Sequence, residues 1–85
     1  MIIGNVASSF NGQRLKIARL YRNLGISDLA DKIGIKKQSI SQFETGLTKP
    51  KVETELLLIR ELQFPRSFFY QNFETTEVNK TFFRA

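Results

Sequence analysis

Apolar side chains recur along this chain at intervals of three or four residues, the spacing that places them on one face of an α-helix. The pattern predicts five helices, at about 13–22, 26–33, 37–45, from 52 to just before Pro65, and 66–70. No segment alternates apolar and polar residues convincingly, as a half-buried β-strand does. The chain is therefore expected to be all-α, a compact bundle of about five short helices.

The apolar positions also define the predicted faces of these helices. The predicted apolar face of the first helix consists of Ile17, Leu20, Tyr21 and Leu24, and Leu15 and Ala18 widen it. The predicted apolar face of the fourth helix consists of Val52, Leu56, Ile59 and Leu62. The residues expected to face inward from the second and third helices are Leu29, Ala30, Ile33, Ile40 and Phe43. Asn23, Gly34 and Gly46 are expected to end the first three helices, because Asn and Gly tolerate the left-handed conformation that closes many helices.

The composition removes several classes of chemistry. The 85 residues include no Cys and no His, which excludes a disulfide framework, a zinc ribbon and a catalytic imidazole. The carboxylate pairs Glu53 with Glu55 and Glu74 with Glu77 are expected on solvated helix faces. The longest aliphatic run, 56–59, is far shorter than the roughly 20 residues that span a bilayer. We therefore expect a cytoplasmic protein that is not an enzyme and uses no cofactor or metal.

Positive charge is concentrated in the first part of the chain, whose formal net charge is +5 overall. Residues 1–51 carry nine basic and three acidic side chains, whereas residues 52–85 carry four and five. A one-sided positive field suggests a polyanionic partner, and nucleic acid is the commonest soluble polyanion. The same charge also favours solubility, so on its own it is equally consistent with an ordinary solvated surface.

The segment 26–45, ISDLADKIGIKKQSISQFET, has the pattern of a helix-turn-helix. Two helices that cross steeply need a small side chain where their backbones approach, and Ala30 supplies it. The turn between them needs a residue that accepts a positive φ, and Gly34 supplies that. The apolar residues expected to wedge between these two helices and the rest of the bundle are Leu29, Ile33, Ile35, Ile40 and Phe43.

The outward face of the third helix is the predicted functional surface. It carries ammonium, amide and hydroxyl groups and no carboxylate: Lys37, Gln38, Ser41, Gln42 and Thr45. An α-helix fits the major groove of DNA, where Gln can pair with adenine and Lys can reach guanine. Any one of these side chains alone would be an ordinary solvated residue. Together with the turn and the basic half they indicate a face that reads bases through Lys37, Gln38, Ser41 and Gln42.

Glu44 lies four residues after Ile40 and hence on the inward side of the third helix, where an unpaired carboxylate would be costly. Arg19, on the flank of the first helix, is the candidate partner for a partly buried bidentate ion pair. The predicted role of this pair is structural, holding the third helix against the first. The alternative is an exposed and unpaired Glu44.

Taken together, these segments resemble the Cro and repressor type of helix-turn-helix domain, a large family of phage and bacterial regulators. The resemblance covers about residues 10–69 and rests on RLKIAR at 14–19, DLADKIGI at 28–35, QSISQFETG at 38–46, Pro50, and ELLLIREL at 55–62. It implies a lambda-repressor-like bundle that binds operator DNA as a two-fold pair, with the third helix in the major groove. Arg19 and Glu44 match the family's internal ion pair.

The loop 47–51 lies along phosphate in relatives. The residues expected to contact the DNA backbone are Arg14, Lys36, Thr45, Thr48, Lys49 and Lys51. Two departures weaken the match. Gly25 and Ile26 stand where many relatives have Thr and Gln, which weakens the cap of the second helix. Lys51 stands where relatives often have Ser before the fourth helix, and it cannot cap that helix but could meet a phosphate.

The segments SFNGQRLKIAR, FPRSFF and TFFRA look like the branch in which the DNA-binding domain precedes an ImmA/IrrE-like zinc peptidase domain. The peptidase itself is missing, because the chain has no His. This resemblance implies either a truncated N-terminal module whose C-terminal domain is missing or a stand-alone relative.

These features predict an N-terminal arm at 1–10, a DNA-binding domain at 11–70 and an aromatic tail at 71–85. The predicted function is a sequence-specific regulator of transcription that binds double-stranded DNA, a repressor that occludes a promoter, and a homodimer at least on DNA. The alternative is an antitoxin-like or adaptor module that binds protein through its aromatic end. Phe64, Phe68 and Phe69 are expected in the core or at a contact, and Phe82 and Phe83 at a dimer or interdomain contact.

Overall fold

The computed structural model of the chain describes residues 9–71. Five helices follow one another: α1 Gly12–Tyr21, α2 Ile26–Ile33, α3 Lys37–Thr45, α4 Val52–Leu62 and α5 Arg66–Phe69. Their order and bounds confirm the predicted all-α bundle to within a residue or two. Most of the predicted arm and of the aromatic tail, including Phe73, Phe82 and Phe83, lies outside the described residues.

The predicted helix ends adopt the expected backbone conformations. Gly34 and Gly46 have φ of 81° and 84°, and they close α2 and α3. Asn23, one residue after the C-cap of α1, has a φ of 63°. Gln63 ends α4 in the same left-handed conformation, with a φ of 59°. This last position was not foreseen, because Gln carries no sequence signal for a positive φ.

The core is formed by side chains from all five helices and from Phe10. The buried apolar residues are Phe10, Leu15, Ala18, Leu29, Ala30, Ile40, Phe43, Leu58, Leu62 and Phe69. α3 packs against both α1 and α2, α4 packs against α2, and α5 packs against α1. The inward residues predicted for α2 and α3 are therefore confirmed, with Ile33 partly buried against the same core.

The buried faces of α1 and α4 coincide only in part with the apolar faces predicted from the sequence. On α1 the stripe residues Ile17, Leu20 and Tyr21 are exposed, Tyr21 by 72%. Leu15 and Ala18, which widen the predicted face, are buried together with Arg19. On α4 the stripe residues Val52 and Leu56 are exposed, whereas Leu62 is buried and Ile59 partly buried as predicted. Glu55 and Leu58, outside the stripe, are buried beside them. In both helices a charged residue lies on the buried face because another helix supplies its partner, and apolar spacing alone does not show this.

The expectation that Glu55 lies on a solvated face is therefore wrong. Glu55 is 2% exposed, and its carboxylate accepts a hydrogen bond from Arg66 Nε at 3.1 Å. The hydrogen bond raises the pKa of the Arg66 guanidinium. The pair joins α4 to the start of α5.

The start of α1 and the end of the domain lie side by side. The Phe10 ring stacks on Phe69 with the ring centres 5.5 Å apart. The backbone N–H of Asn11 donates to the Phe69 carbonyl at 2.6 Å, and the Asn11 amide donates to the Gln71 carbonyl at 2.8 Å. Phe69 is thus a core residue, and Phe64 and Phe68 are partly buried against that core. Among residues 9–71, no helix is long and apolar enough to cross a membrane.

Candidate nucleic-acid interface

The turn between α2 and α3 is closed by the two residues singled out from the sequence. Gly34 donates from its backbone N–H to the Ala30 carbonyl at 2.8 Å, and Ile35 donates to the same carbonyl at 3.0 Å. Ala30 is 2% exposed, so its methyl group lies inside the helix pair. The left-handed Gly34 redirects the chain within one residue, and α3 begins three residues later.

The apolar wedge predicted between α2, α3 and the rest of the bundle is present. Leu29, Ile40 and Phe43 are buried, and Ile33 and Ile35 pack against them partly buried. Burial of Ile40 and Phe43 on one side of α3 fixes which side of this helix faces solvent, because the two side chains project in nearly the same direction.

The opposite side of α3 is exposed along its whole length. The exposed residues are Lys37, Gln38, Ser41, Gln42 and Thr45, which we call the α3 surface. The Thr45 hydroxyl donates to the Gln42 carbonyl at 3.2 Å, so it is directed back onto its own helix. The ammonium and amide groups of the α3 surface remain accessible to a partner molecule.

Arg19 and Glu44 form the expected ion pair. Arg19 Nε and Nη2 donate to the two carboxylate oxygens of Glu44 at 2.6 and 3.0 Å, and Nη1 donates to the Leu24 carbonyl at 2.9 Å. Each side chain of the pair is only 7% exposed. The bidentate contact fixes the last turn of α3 against α1, since both the distance and the plane of the two groups are constrained.

A second contact between α1 and α3 was not foreseen. A Cβ atom added to Gly12 would overlap the carbonyl groups of Phe43 and Glu44, 2.8 Å from the Glu44 oxygen. The first turn of α1 therefore approaches the last turn of α3 backbone to backbone. The glycine at the first position of α1 is the single sequence signal of this contact, and a glycine does not by itself show which backbone lies against it.

The residues expected to contact phosphate lie in two regions, one around the two ends of α3 and the other at Arg14 on α1. Lys36 precedes α3, and Thr48, Lys49 and Lys51 lie in the segment after it, all exposed. Arg14 lies elsewhere: its guanidinium carbon is 4.6 Å from the centre of the Phe68 ring of α5, and burial lowers its pKa. The phosphate roles of these residues, including that of Thr45, stay predictions.

The N-terminal ends of α2 and α4, where the sequence lacks a good capping residue, differ in how they are capped. The Gly25 N–H donates to the Asp28 carboxylate at 2.9 Å, so the side chain of Asp28 supplies part of the cap that Gly25 itself cannot give. Lys51 makes no side-chain cap to α4, as expected.

Comparisons with known proteins agree with this geometry. The fold is similar to the crystal structure of SinR, described as the master regulator for biofilm formation, in complex with DNA. The similarity has a TM-score of 0.63 and 29% sequence identity, and it covers 67% of this chain and 95% of the SinR chain. No curated protein gave a significant match. The helix-turn-helix family model HTH_3 matches residues 15–69, more than half of the chain, so the chain belongs to this helix-turn-helix family.

Proposed function

We propose that this protein is a sequence-specific regulator of transcription that binds double-stranded DNA through the α3 surface, and that it represses by occluding a promoter. The observation that carries the proposal is the α3 surface itself: an exposed helical face with one cation, two amides, two hydroxyl groups and no carboxylate. Family membership and the similarity to SinR, a protein solved in complex with DNA, support the same function.

The chemistry of the α3 surface suits base edges in the major groove. The Gln38 and Gln42 amides have a donor and an acceptor side by side, which matches N6 and N7 of adenine. Lys37 can donate to O6 and N7 of guanine. Because buried apolar residues and the Arg19–Glu44 pair fix α3 in the bundle, these groups are presented on a rigid element, as base selection requires.

The remaining contacts would set the position of the domain on DNA. Lys36, Lys49 and Lys51 are exposed near the two ends of α3, where they can meet backbone phosphates that carry no sequence information. We further propose that two copies bind one operator, with half-sites about 34 Å, one helical turn, apart or at a multiple of that distance. Assignment to the branch that precedes a peptidase domain also remains part of the proposal.

Selection from random duplex DNA tests the function, followed by binding of the enriched duplex. Gln38→Ala should cost about 1 to 3 kcal/mol on the selected duplex and relax one base position. Lys49→Ala should weaken selected and unselected duplexes by the same factor, because phosphate is common to all sequences. The absence of an enriched motif would count against base readout, and equal losses of both variants on all duplexes would show that the α3 surface is wrongly assigned.

The alternative of an interaction module loses part of its basis in the described residues. The rings of Phe64, Phe68 and Phe69 pack against one another, and Phe69 also stacks on Phe10, so this aromatic group belongs to the domain's own core. The alternative then depends on Phe82 and Phe83, outside the described residues.

A further inference from the structure

A cleft lies between the start of α1 and the end of α3. Gln13 and Lys16 line it from α1, Thr45 and Gly46 from the end of α3, and Lys49 from the segment that follows. Thr45 belongs both to this cleft and to the α3 surface, so the cleft continues the candidate DNA interface toward α1.

The position of Lys16 follows from the two contacts that hold α1 on α3. Gly12, Lys16 and Arg19 are spaced at i, i+4 and i+7, which places them on one face of the helix. Gly12 lies against the backbone of α3, and Arg19 binds Glu44. Lys16 lies between these two fixed points, so the helix delivers its ammonium group to the flank of α3 without a flexible loop.

The charge of the cleft is positive. Its one carboxylate, Glu44, is bound through both oxygens by Arg19. Within residues 9–71, neither Lys16 nor Lys49 forms an ion pair with a carboxylate, in contrast to Lys32, which lies 3.9 Å from Glu61. Two exposed ammonium groups on facing elements repel each other, and an anion between them relieves that repulsion.

We infer that Lys16, facing Lys49 across this cleft, binds a phosphate of the DNA backbone, which makes α1 a third element of the interface beside α3 and the segment after it. The inference rests on the proposed function and extends it to a residue outside the helix-turn-helix. An ammonium group is a point charge without a fixed donor geometry, so Lys16 positions the domain on DNA and does not select bases.

The test compares Lys16→Gln with Lys32→Gln, which removes the same charge from α2 on an exposed lysine outside the cleft. Both variants and the wild type are titrated by fluorescence anisotropy against a labelled mixed-sequence duplex of about 21 base pairs, two helical turns, at several salt concentrations. Lys16→Gln is expected to bind about tenfold more weakly. The slope of log affinity against log salt should fall by about 0.9, and Lys32→Gln should change both quantities much less.

Two further variants separate a phosphate contact from other effects. Lys16→Arg keeps the charge and should retain most of the wild-type affinity for DNA. Thermal unfolding of Lys16→Gln should match that of the wild type, because the Lys16 side chain is exposed. If Lys16→Gln binds no more weakly than Lys32→Gln while the wild type binds DNA, the inference about Lys16 is wrong and the proposed function stands. If the wild type binds neither this duplex nor a selected one, both fail.

Discussion

At the scale of single residues, the bidentate contact between Arg19 and Glu44 is the interaction on which the position of α3 most depends. It joins residues 25 apart in sequence, and both side chains are almost completely withdrawn from water. A buried pair contributes little compared with a well-packed apolar pair, but removing one partner leaves the other charge buried and unpaired. The contact therefore specifies the arrangement of α1 and α3 more than it adds to stability.

Glu44→Ala is expected to lower the free energy of unfolding by about 3 to 5 kcal/mol, because the Arg19 guanidinium would keep one carbonyl partner and no counter-ion. Urea denaturation followed by circular dichroism measures the change. Glu61→Ala is the matched control, since it breaks a pair with Lys32 in which both side chains keep a third or more of their exposure to solvent, and it should cost less than about 1 kcal/mol. Equal losses in the two variants would contradict the structural role assigned to Glu44.

At the scale of elements, α1 is the support on which α3 lies. The close approach of the two backbones at Gly12 brings the ends of α1 and α3 together. Leu15 and Ala18 are buried in the middle of α1, and Arg19, one turn after Leu15, binds Glu44 of α3. The helix-turn-helix thus needs α1 as well as its own turn for α3 to be held with its polar side outward.

Gly12→Ala is expected to lower the free energy of unfolding by about 3 kcal/mol or more, because backbone carbonyls cannot move aside as a flexible side chain can. Gly34→Ala serves for comparison. The space around Gly34 is open and its φ is positive, so the cost there is limited to backbone strain, about 1 to 2 kcal/mol. Chemical denaturation of both variants measures which one loses more free energy of unfolding. A smaller loss for Gly12→Ala than for Gly34→Ala would show that α1 does not approach α3 so closely.

At the scale of the whole molecule, the basic residues divide into two groups. The three arginines of α1 and its C-cap are engaged within the protein: Arg19 with Glu44, Arg14 over the Phe68 ring, and Arg22 with the Leu62 carbonyl at 2.7 Å. Arg22 lies at the C-terminus of α4, where a cation is favourable. The lysines of the first part of the chain are all exposed: Lys16, Lys32, Lys36, Lys37, Lys49 and Lys51. These three arginines make contacts within the fold, whereas the lysines of this part of the chain are exposed to solvent.

The affinity for DNA is therefore expected to depend steeply on salt. If each subunit neutralises roughly 4 to 6 phosphates, log affinity should fall by about 0.9 per phosphate for each log unit of salt. Titrations of one duplex at several potassium chloride concentrations measure the slope. A slope near zero would mean that the exposed lysines do not contact the backbone.

Much of the fold and of the candidate site could be predicted from local sequence. Helix bounds follow from apolar spacing and from residues such as Gly34 and Gly46, whose backbone preferences act within one turn. The outward side of α3 follows from Ile40 and Phe43 on the other side. The Arg19–Glu44 pair could be predicted because a carboxylate on an inward helical face demands a cation.

The tertiary structure decided what depends on a partner far along the chain. Glu55 is buried against the expectation from the sequence, because its carboxylate is bound by Arg66 on another helix. The contact of Gly12 with the backbone of α3, and the position of Lys16 beside α3, depend on how α1 packs across the end of α3. The sequence by itself determined the five helices, the turn and the polar side of α3, since these depend on neighbours within a few residues. The buried faces of α1 and α4, and the cleft lined by Lys16 and Lys49, depend on how whole helices pack together, which apolar periodicity does not encode.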